Sequence, residues 1–366
     1  MISMNDFRRH VAGMREELDA AIARVLGSGW FILGGEVEAF EKELAAFLGV
    51  AHVIGVGNGM DAIELALAAA GIGEGDEVIT TPNSAFASTL AILKLGAVPK
   101  FVDLDERTYG LDLDRVAAAI GPRTRALLPV HIYGQALDLD RLRALAGERG
   151  VLLVNDAAQA HGARWRGRDI AGFGAATAYS FYPTKNLGCF GDGGAVATDD
   201  AALAARVRCG RDYGQERRYL HVDPRGLNSR LDELQAAILR VKLRHLPAHN
   251  ARRAAIAEHY RQALAGLPLV LPAIAEGATS VHHLFVVRTP RRDALMQFLR
   301  ERQIASLVHY PVIIPLQPAM SRFGHRPGDF PVAERCAQEL LSLPIHPELT
   351  DSEADAVVTG VRAFFG

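Results

Sequence analysis

The sequence predicts an α/β protein: a large domain with a mostly parallel, mixed sheet flanked by helices, plus a smaller C-terminal α+β domain. Two observations carry this. From residue 52 to about 200, short apolar runs rich in β-formers alternate with helical patterns, as strands buried on both faces alternate with crossover helices. After Asn228 the alternation stops, and a long helical stretch leads into a region with one clear strand. The expected division is 1–247 and 248–366. A length of 366 residues fits two domains at about 150 residues each.

In chain order, HVIGVGN is the first strand and turns into a helix over Asp61 to Ala70. The runs EVITTP, PKFVDL and ALLPVHIYG follow, then a helix over Asp140 to Arg149 and the strand VLLVNDA. The runs ATAYSF and GAVATD lie close to it and to each other, so the sheet is expected to be mixed at that end. Leu231 to about Arg261 reads as a long connecting helix, interrupted near Pro247 because proline removes a backbone donor. HLFVVR is the strand of the second domain, Asp293 to Arg302 a helix, and a last helix precedes Gly360 to Gly366.

Composition excludes several classes of function. The 40 basic and 42 acidic side chains leave a net charge of −2, which provides no field to attract nucleic acid or an anionic membrane. No apolar run reaches the ~18 residues of a spanning helix, and the opening MISMNDFRRH meets charge before any apolar stretch, unlike a signal peptide. Cys189, Cys209 and Cys336 are too few and scattered for a disulfide framework or a zinc site. The expected compartment is a reducing cytoplasm. Only five lysines occur, Lys42, Lys94, Lys100, Lys185 and Lys242, so chemistry needing an amine has few candidates.

Glycine motifs do not support dinucleotide binding. Gly55-Val-Gly57-Asn-Gly59-Met60 lies between a strand and a helix, but Met60 stands where the fingerprint needs a third small residue. Gly191-Asp-Gly193-Gly194 precedes a strand. The free N–H groups of a helix start still suit a phosphate, although an ordinary tight turn explains the first motif on its own.

Asp156 and Lys185 carry the chemistry. Asp156 follows an apolar strand at its C-terminal end, the edge where open α/β sheets bind ligands; a helix cap is the plainer reading. Gln159 and His161 follow at once. Lys185 lies after another apolar strand in SFYPTKNLGCFG, with no ionised side chain within six residues on either side. By contrast, Lys42 and Lys242 read as helix-surface charges among Glu and Arg. A lysine drawn out of water has its pKa lowered, as a Schiff-base amine requires. A pyridoxal phosphate (PLP) site needs such a lysine and an Asp to keep the pyridine nitrogen protonated. The backbone of Gly59, Met60 and Asp61, with Ser180, offers a phosphate cup, and Phe86 a face for the ring.

Together these motifs resemble the DegT/DnrJ/StrS group of PLP-dependent sugar aminotransferases, of the aspartate-aminotransferase fold. The resemblance runs from about Gly34 to Pro347 through GNGMDAIELAL, DEVITTPNSAFAST, PVHIYGQ, DAAQAHGA, SFYPTKNLG, GDGGAVATDD, GLNSRLDELQAAIL, HYP and LPIHPEL. The TKNLG…GDGGA wording is similar to members that aminate the 3-keto position of nucleotide-linked sugars. The resemblance implies that Lys185 holds the cofactor and moves the proton, and that Asp156 pairs with the ring nitrogen. It puts Gln159 near the O3′ side, Phe86 on the ring, and Gly59, Met60 and Ser180 around the phosphate. Asn228 is implied to reach a neighbouring subunit's phosphate in a homodimer with shared active sites. Met60 replaces the threonine of the GTDA variant, so one hydroxyl contact is absent.

The implied reaction is a ping-pong transamination from an amino acid, L-glutamate by resemblance, through pyridoxamine phosphate (PMP) to a keto sugar. Seven arginines between 206 and 230, Arg230 among them, suit a nucleotide diphosphate; a solvated basic face is an equal reading. His309 and Tyr310 in VHYP are candidate substrate contacts. His282-His283 suggests no metal, because adjacent strand residues face opposite ways. Alternative acceptors are a keto-cyclitol or a 4-keto nucleotide sugar. Dehydratases resembling this family carry His in place of the lysine, so Lys185 argues against one. A non-catalytic PLP or sugar-binding regulator would be expected to carry an attached domain before residue 30 or after 350.

Overall fold

The computed structural model describes residues 1–366. Seven strands form the main sheet: β1 (His52–Val56), β2 (Glu77–Thr80), β3 (Val98–Phe101), β4 (Thr124–Leu128), β5 (Leu152–Asp156), β6 (Ala176–Ser180) and β7 (Gly194–Thr198). Their order across the sheet is β1-β7-β6-β5-β4-β2-β3. β7 is antiparallel to both its neighbours, and every other pairing is parallel. Six strands therefore end at one edge of the sheet, and β7 begins there.

Successive side chains along each strand go to opposite faces, so each continuous apolar run feeds two cores. Val53, Ile79, Leu127 and Leu153 enter one core, with the helices Gly35–Leu48 and Leu139–Arg149. Ile54, Val78, Leu128 and Val154 enter the other, with the helices Gly59–Ala69 and Ala201–Gly210. No helix is long and apolar enough to cross a membrane.

The connecting helix spans Glu233–Ala263 and carries Pro247 inside it without ending. The interruption expected there does not occur. Proline removes one main-chain bond, but both halves are pinned by burial. Leu243 and Leu246 belong to the core of the sheet, and Ile256, Ala257 and Tyr260 to a separate C-terminal core. That second core contains the antiparallel pair β8 (Phe285–Arg288) and β9 (Leu340–Leu343) and the helix Asp351–Phe365.

Glu233 opens the long helix and serves a second one. Its buried carboxylate accepts hydrogen bonds from the N–H groups of Gly34, Glu36 and Val37 at 2.8, 2.9 and 2.9 Å. Gly34, the N-cap of Gly35–Leu48, has no side chain of its own for this task. Anionic charge at a helix start is favourable, and a buried N–H without a partner costs about 1–3 kcal/mol. Glu233→Ala is accordingly expected to destabilise the fold by about 2–4 kcal/mol, measured as a lowered urea midpoint.

Candidate active site

Asp156 is the last residue of β5 and is 3% exposed. Its Oδ2 accepts from Ser88 Oγ at 2.6 Å and its Oδ1 from the Ala158 N–H at 3.0 Å. Burial pushes this carboxyl above its usual range, while Ser88, Ala158 and Lys185 pull it back. The result is a carboxyl in a dry site, where a nearby positive charge would favour its anion.

Lys185 lies in the turn beyond β6, fixed by its own N–H to Tyr182 O at 2.8 Å. Burial lowers its amine to about 8, and Asp156 holds it up against a further fall. Twenty-nine residues separate the two in sequence, yet β5 and β6 are parallel neighbours ending at the same edge, which brings them near enough for the Asp156 charge to act on the amine.

Gly59 and Ser180 close the adjoining corner. Asn58 caps the helix Gly59–Ala69, accepting the Asp61 N–H at 2.9 Å on its side chain and the Ala62 N–H at 3.1 Å on its carbonyl. The N–H groups of Gly59 and Met60 remain at the helix head. A Cβ on Gly59 would lie 2.5 Å from Ser180 Cβ, so only glycine brings the head this close to the end of β6. Asp61 contributes less of its backbone than its sequence position suggests; its carboxylate accepts from Ser229 Oγ at 2.6 Å, and Ser229 Oγ accepts from the Gly57 N–H at 3.0 Å. Gly59→Ala is expected to force the head off Ser180 and weaken cofactor retention roughly tenfold, read by fluorescence titration with PLP.

Opposite this corner, Gln159 Oε1 accepts from the Tyr133 N–H at 2.7 Å, and its Nε2 donates to the Tyr310 hydroxyl at 3.2 Å. The Tyr310 phenol is pushed up to about 12 by burial, with Asp156 adding to the rise. His309 Nδ1 pairs with Ser342 Oγ at 2.9 Å, and its carbonyl accepts from the Tyr133 hydroxyl. Phe86 opens the helix after β2 and is half-buried beside Phe101 and Ile313. Asn228 and Arg230 flank Ser229: Asn228 is exposed, and Arg230 donates to Asp212 at 2.9 Å and stacks over Tyr213.

A lysine with a lowered pKa, a desolvated carboxyl and the N–H groups of a helix head suit a phosphorylated pyridine aldehyde. A model of the DegT/DnrJ/EryC1/StrS aminotransferase family matches residues 13–362. The chain belongs to this family. It is 51% identical over 358 residues to the dTDP-3-amino-3,4,6-trideoxy-alpha-D-glucose transaminase of Streptomyces venezuelae, covering 98% of this chain and 94% of that one. It is 50% identical over 351 residues to the erythromycin biosynthesis sensory transduction protein EryC1 of Saccharopolyspora erythraea, covering 96% of each. The crystal structure of S. venezuelae DesV in complex with a ketimine intermediate superposes with a TM-score of 0.98 at 50% identity, covering 99% of this chain and 98% of that one. The cofactor of this family is PLP, and related structures hold it as PLP or PMP.

Sequence reasoning missed several members of the site. Ser88 stands two residues beyond Phe86 in TTPNSAFAST, where a helix turn brings it to Asp156. Tyr133 and Ser229 gave no signal of their own. Lys242 is not the surface charge its neighbours suggest: it is 3% exposed, donates to Gly188 O, and burial lowers its amine to about 8. Gly188 has no side chain to keep the amine from its carbonyl. Lys242 is therefore a second buried amine, but Asp156 is not among the groups acting on it.

Proposed function

We propose that this aminotransferase moves an amino group from L-glutamate to a nucleotide-linked 3-keto-deoxyhexose by a ping-pong mechanism. The observation that carries the transaminase reading is the Lys185 amine, lowered to about 8 by desolvation and held up by the charge of the buried Asp156 carboxyl. The 3-keto nucleotide sugar is favoured by the name of the S. venezuelae relative, which describes a dTDP-3-amino sugar.

When bound, PLP withdraws electrons from the carbon that loses its proton. Asp156 would hold a proton on the ring nitrogen, supplying the positive charge that its own desolvated carboxylate lacks. Gly59, Met60 and Ser180 would hold its phosphate, and Phe86 would offer a face to its ring. Lys185 Nζ would accept the proton from the substrate Cα and hand it on; an amine near 8 can do both. Gln159, fixed by Tyr133 and Tyr310, orients the O3′ side.

The acceptor experiment uses enzyme first converted with L-glutamate, which should bleach the visible band of the lysine-bound cofactor. A nucleotide-linked 3-keto hexose should restore the band. Restoration only by a free cyclitol ketone or only by a 4-keto nucleotide sugar would replace the proposed acceptor. Failure of glutamate to bleach the band would favour the regulatory role suggested by the EryC1 name.

A cytoplasmic homodimer with shared sites belongs to the same proposal. Trp30, Phe31 and Phe190 are exposed on this chain, and all lie by the start of the long helix, where Phe31 O accepts from Glu233 N and Phe190 N donates to Gln235. Clustered exposed apolar groups of this size mark an interface. Mixing Lys185→Ala with Asn228→Ala chains should regenerate activity if Asn228 serves the neighbouring site; an inactive mixture would assign it to its own.

A further inference from the structure

His10, His249 and Glu348 come from three separate elements: the short helix Phe7–Ala12, the second half of the long helix Glu233–Ala263, and the turn ahead of the helix Asp351–Phe365. One donor atom from each lies within 4.8 Å of the other two. His10 Nδ1 meets Glu348 Oε1, and His346 Nδ1 approaches the other oxygen, Oε2, at 3.3 Å. The His10 and Glu348 side chains are largely withdrawn from water, 11% and 15% exposed. The His249 ring takes part in no hydrogen bond; it tilts against His10 at 5.4 Å and stacks on His245 at 5.9 Å. A pairing of imidazole with carboxylate accounts for His10 and Glu348. It leaves the third donor, drawn in beside them, without a partner.

Two imidazoles and a carboxylate are ligands of the kind that hold a zinc-like ion. In a tetrahedral site, bonds of about 2.0–2.2 Å set neighbouring donors roughly 3.5 Å apart, so a spread of 4.8 Å closes with about 1 Å of side-chain movement. The nearby cations are turned elsewhere: Lys242 donates to Gly188 O, and Arg253 to Ile345 O at 2.7 Å. Asp6 lines a small cavity with His10 and Glu348 and brings a second negative charge. His346, on the far oxygen of Glu348, stands where an outer partner would orient a metal-binding carboxylate.

We propose that His10, His249 and Glu348 form a site for one divalent transition-metal ion, zinc being the best match to the ligand set, with water completing the tetrahedron. The ion is structural. It joins His10 to Glu348, 338 residues away in sequence, and fastens the N-terminal helix to the long helix and to the C-terminal domain. None of its ligands is among the residues assigned to the cofactor, so the site stands apart from transamination.

The test uses the full chain in its PMP form, stripped with chelator and held in buffer free of amino acids and phosphate. Zn²⁺ is titrated by calorimetry, and Co²⁺ by its visible d–d absorption. The expected result is one equivalent per chain, the intense bands of tetrahedral cobalt, and a rise in Tm of about 3 °C at a hundredfold excess over Kd. His249→Gln and His10→Gln should each weaken binding by more than about a hundredfold, and His346→Gln by about tenfold. The first two variants sit on different helices, so a folding fault in one leaves the other to decide; the visible band after reconstitution with PLP reports which is folded. His282→Gln should leave binding unchanged. Absence of a stoichiometric site overturns the proposal. So does binding that survives in a folded His249→Gln or His10→Gln chain, which would mark it as adventitious.

Discussion

Lys185→Ala is expected to lower transamination by about ten-thousand-fold and to abolish the visible band of the lysine-bound cofactor. Loss of the base alone costs about 10²–10⁴-fold, and loss of the covalent attachment adds to it. Lys242, the other buried amine, does not rescue the variant, because it reaches the opposite side of the loop at Gly188. The Lys242→Arg variant should therefore retain the band. The measurements are an absorbance spectrum after reconstitution with PLP and the rate of the glutamate half-reaction. A Lys185→Ala protein that keeps both would require a different amine.

Asp156→Asn is expected to cost about a thousand-fold in the same half-reaction, the scale for losing one electrostatic stabiliser in a dry site. The amide keeps the size of the side chain and hydrogen-bonding groups for Ser88 and Ala158, so the fold should survive. It cannot balance a protonated ring nitrogen. A second effect has a definite sign: the Asp156 charge holds the Lys185 amine up at about 8, so in the Asp156→Asn variant the free amine should titrate at lower pH. A thousand-fold loss together with an acidic shift in the pH dependence of Lys185 carbamylation would identify Asp156 as partner to both groups.

The sheet was legible because its signal is local. Each strand is a continuous apolar run whose two faces enter two cores, and each helix carries its own turn and cap. Asp156 and Lys185 were legible for a related reason, since both follow such runs and a parallel sheet sends those ends to one edge. Contacts made between distant segments were not. Ser88 meets Asp156 across 68 residues, and Tyr133 reaches His309 across 176. Lys242 has a surface lysine's neighbours in sequence but is buried in space. Pro247 signalled a break, and packing of both helix halves overrode it. The arginine-rich segment suited a diphosphate or a solvated basic face equally; in the fold Arg211 pairs with Glu41 and binds Gly55 O, Arg225 pairs with Asp223, and Arg230 with Asp212. Arg217 and Arg218 remain exposed on the hairpin Gln215–Arg217/Leu220–His221.

The reversed strand β7 has an architectural consequence. Because it runs against β6, the segment from Phe181 to Gly193 leaves and re-enters the sheet at facing positions: Ser180 pairs with Gly194, and the Phe181 N–H reaches Gly193 O at 2.7 Å. The lysine thus rides an arch with both feet clamped in one ladder, and Cys189 N–H to Phe181 O at 2.8 Å braces it from within. The span of the arch is set by a single strand spacing. The segment is an interchangeable cassette: its chemistry can be rewritten between two fixed abutments while the register of the sheet that carries Asp156 stays as it is.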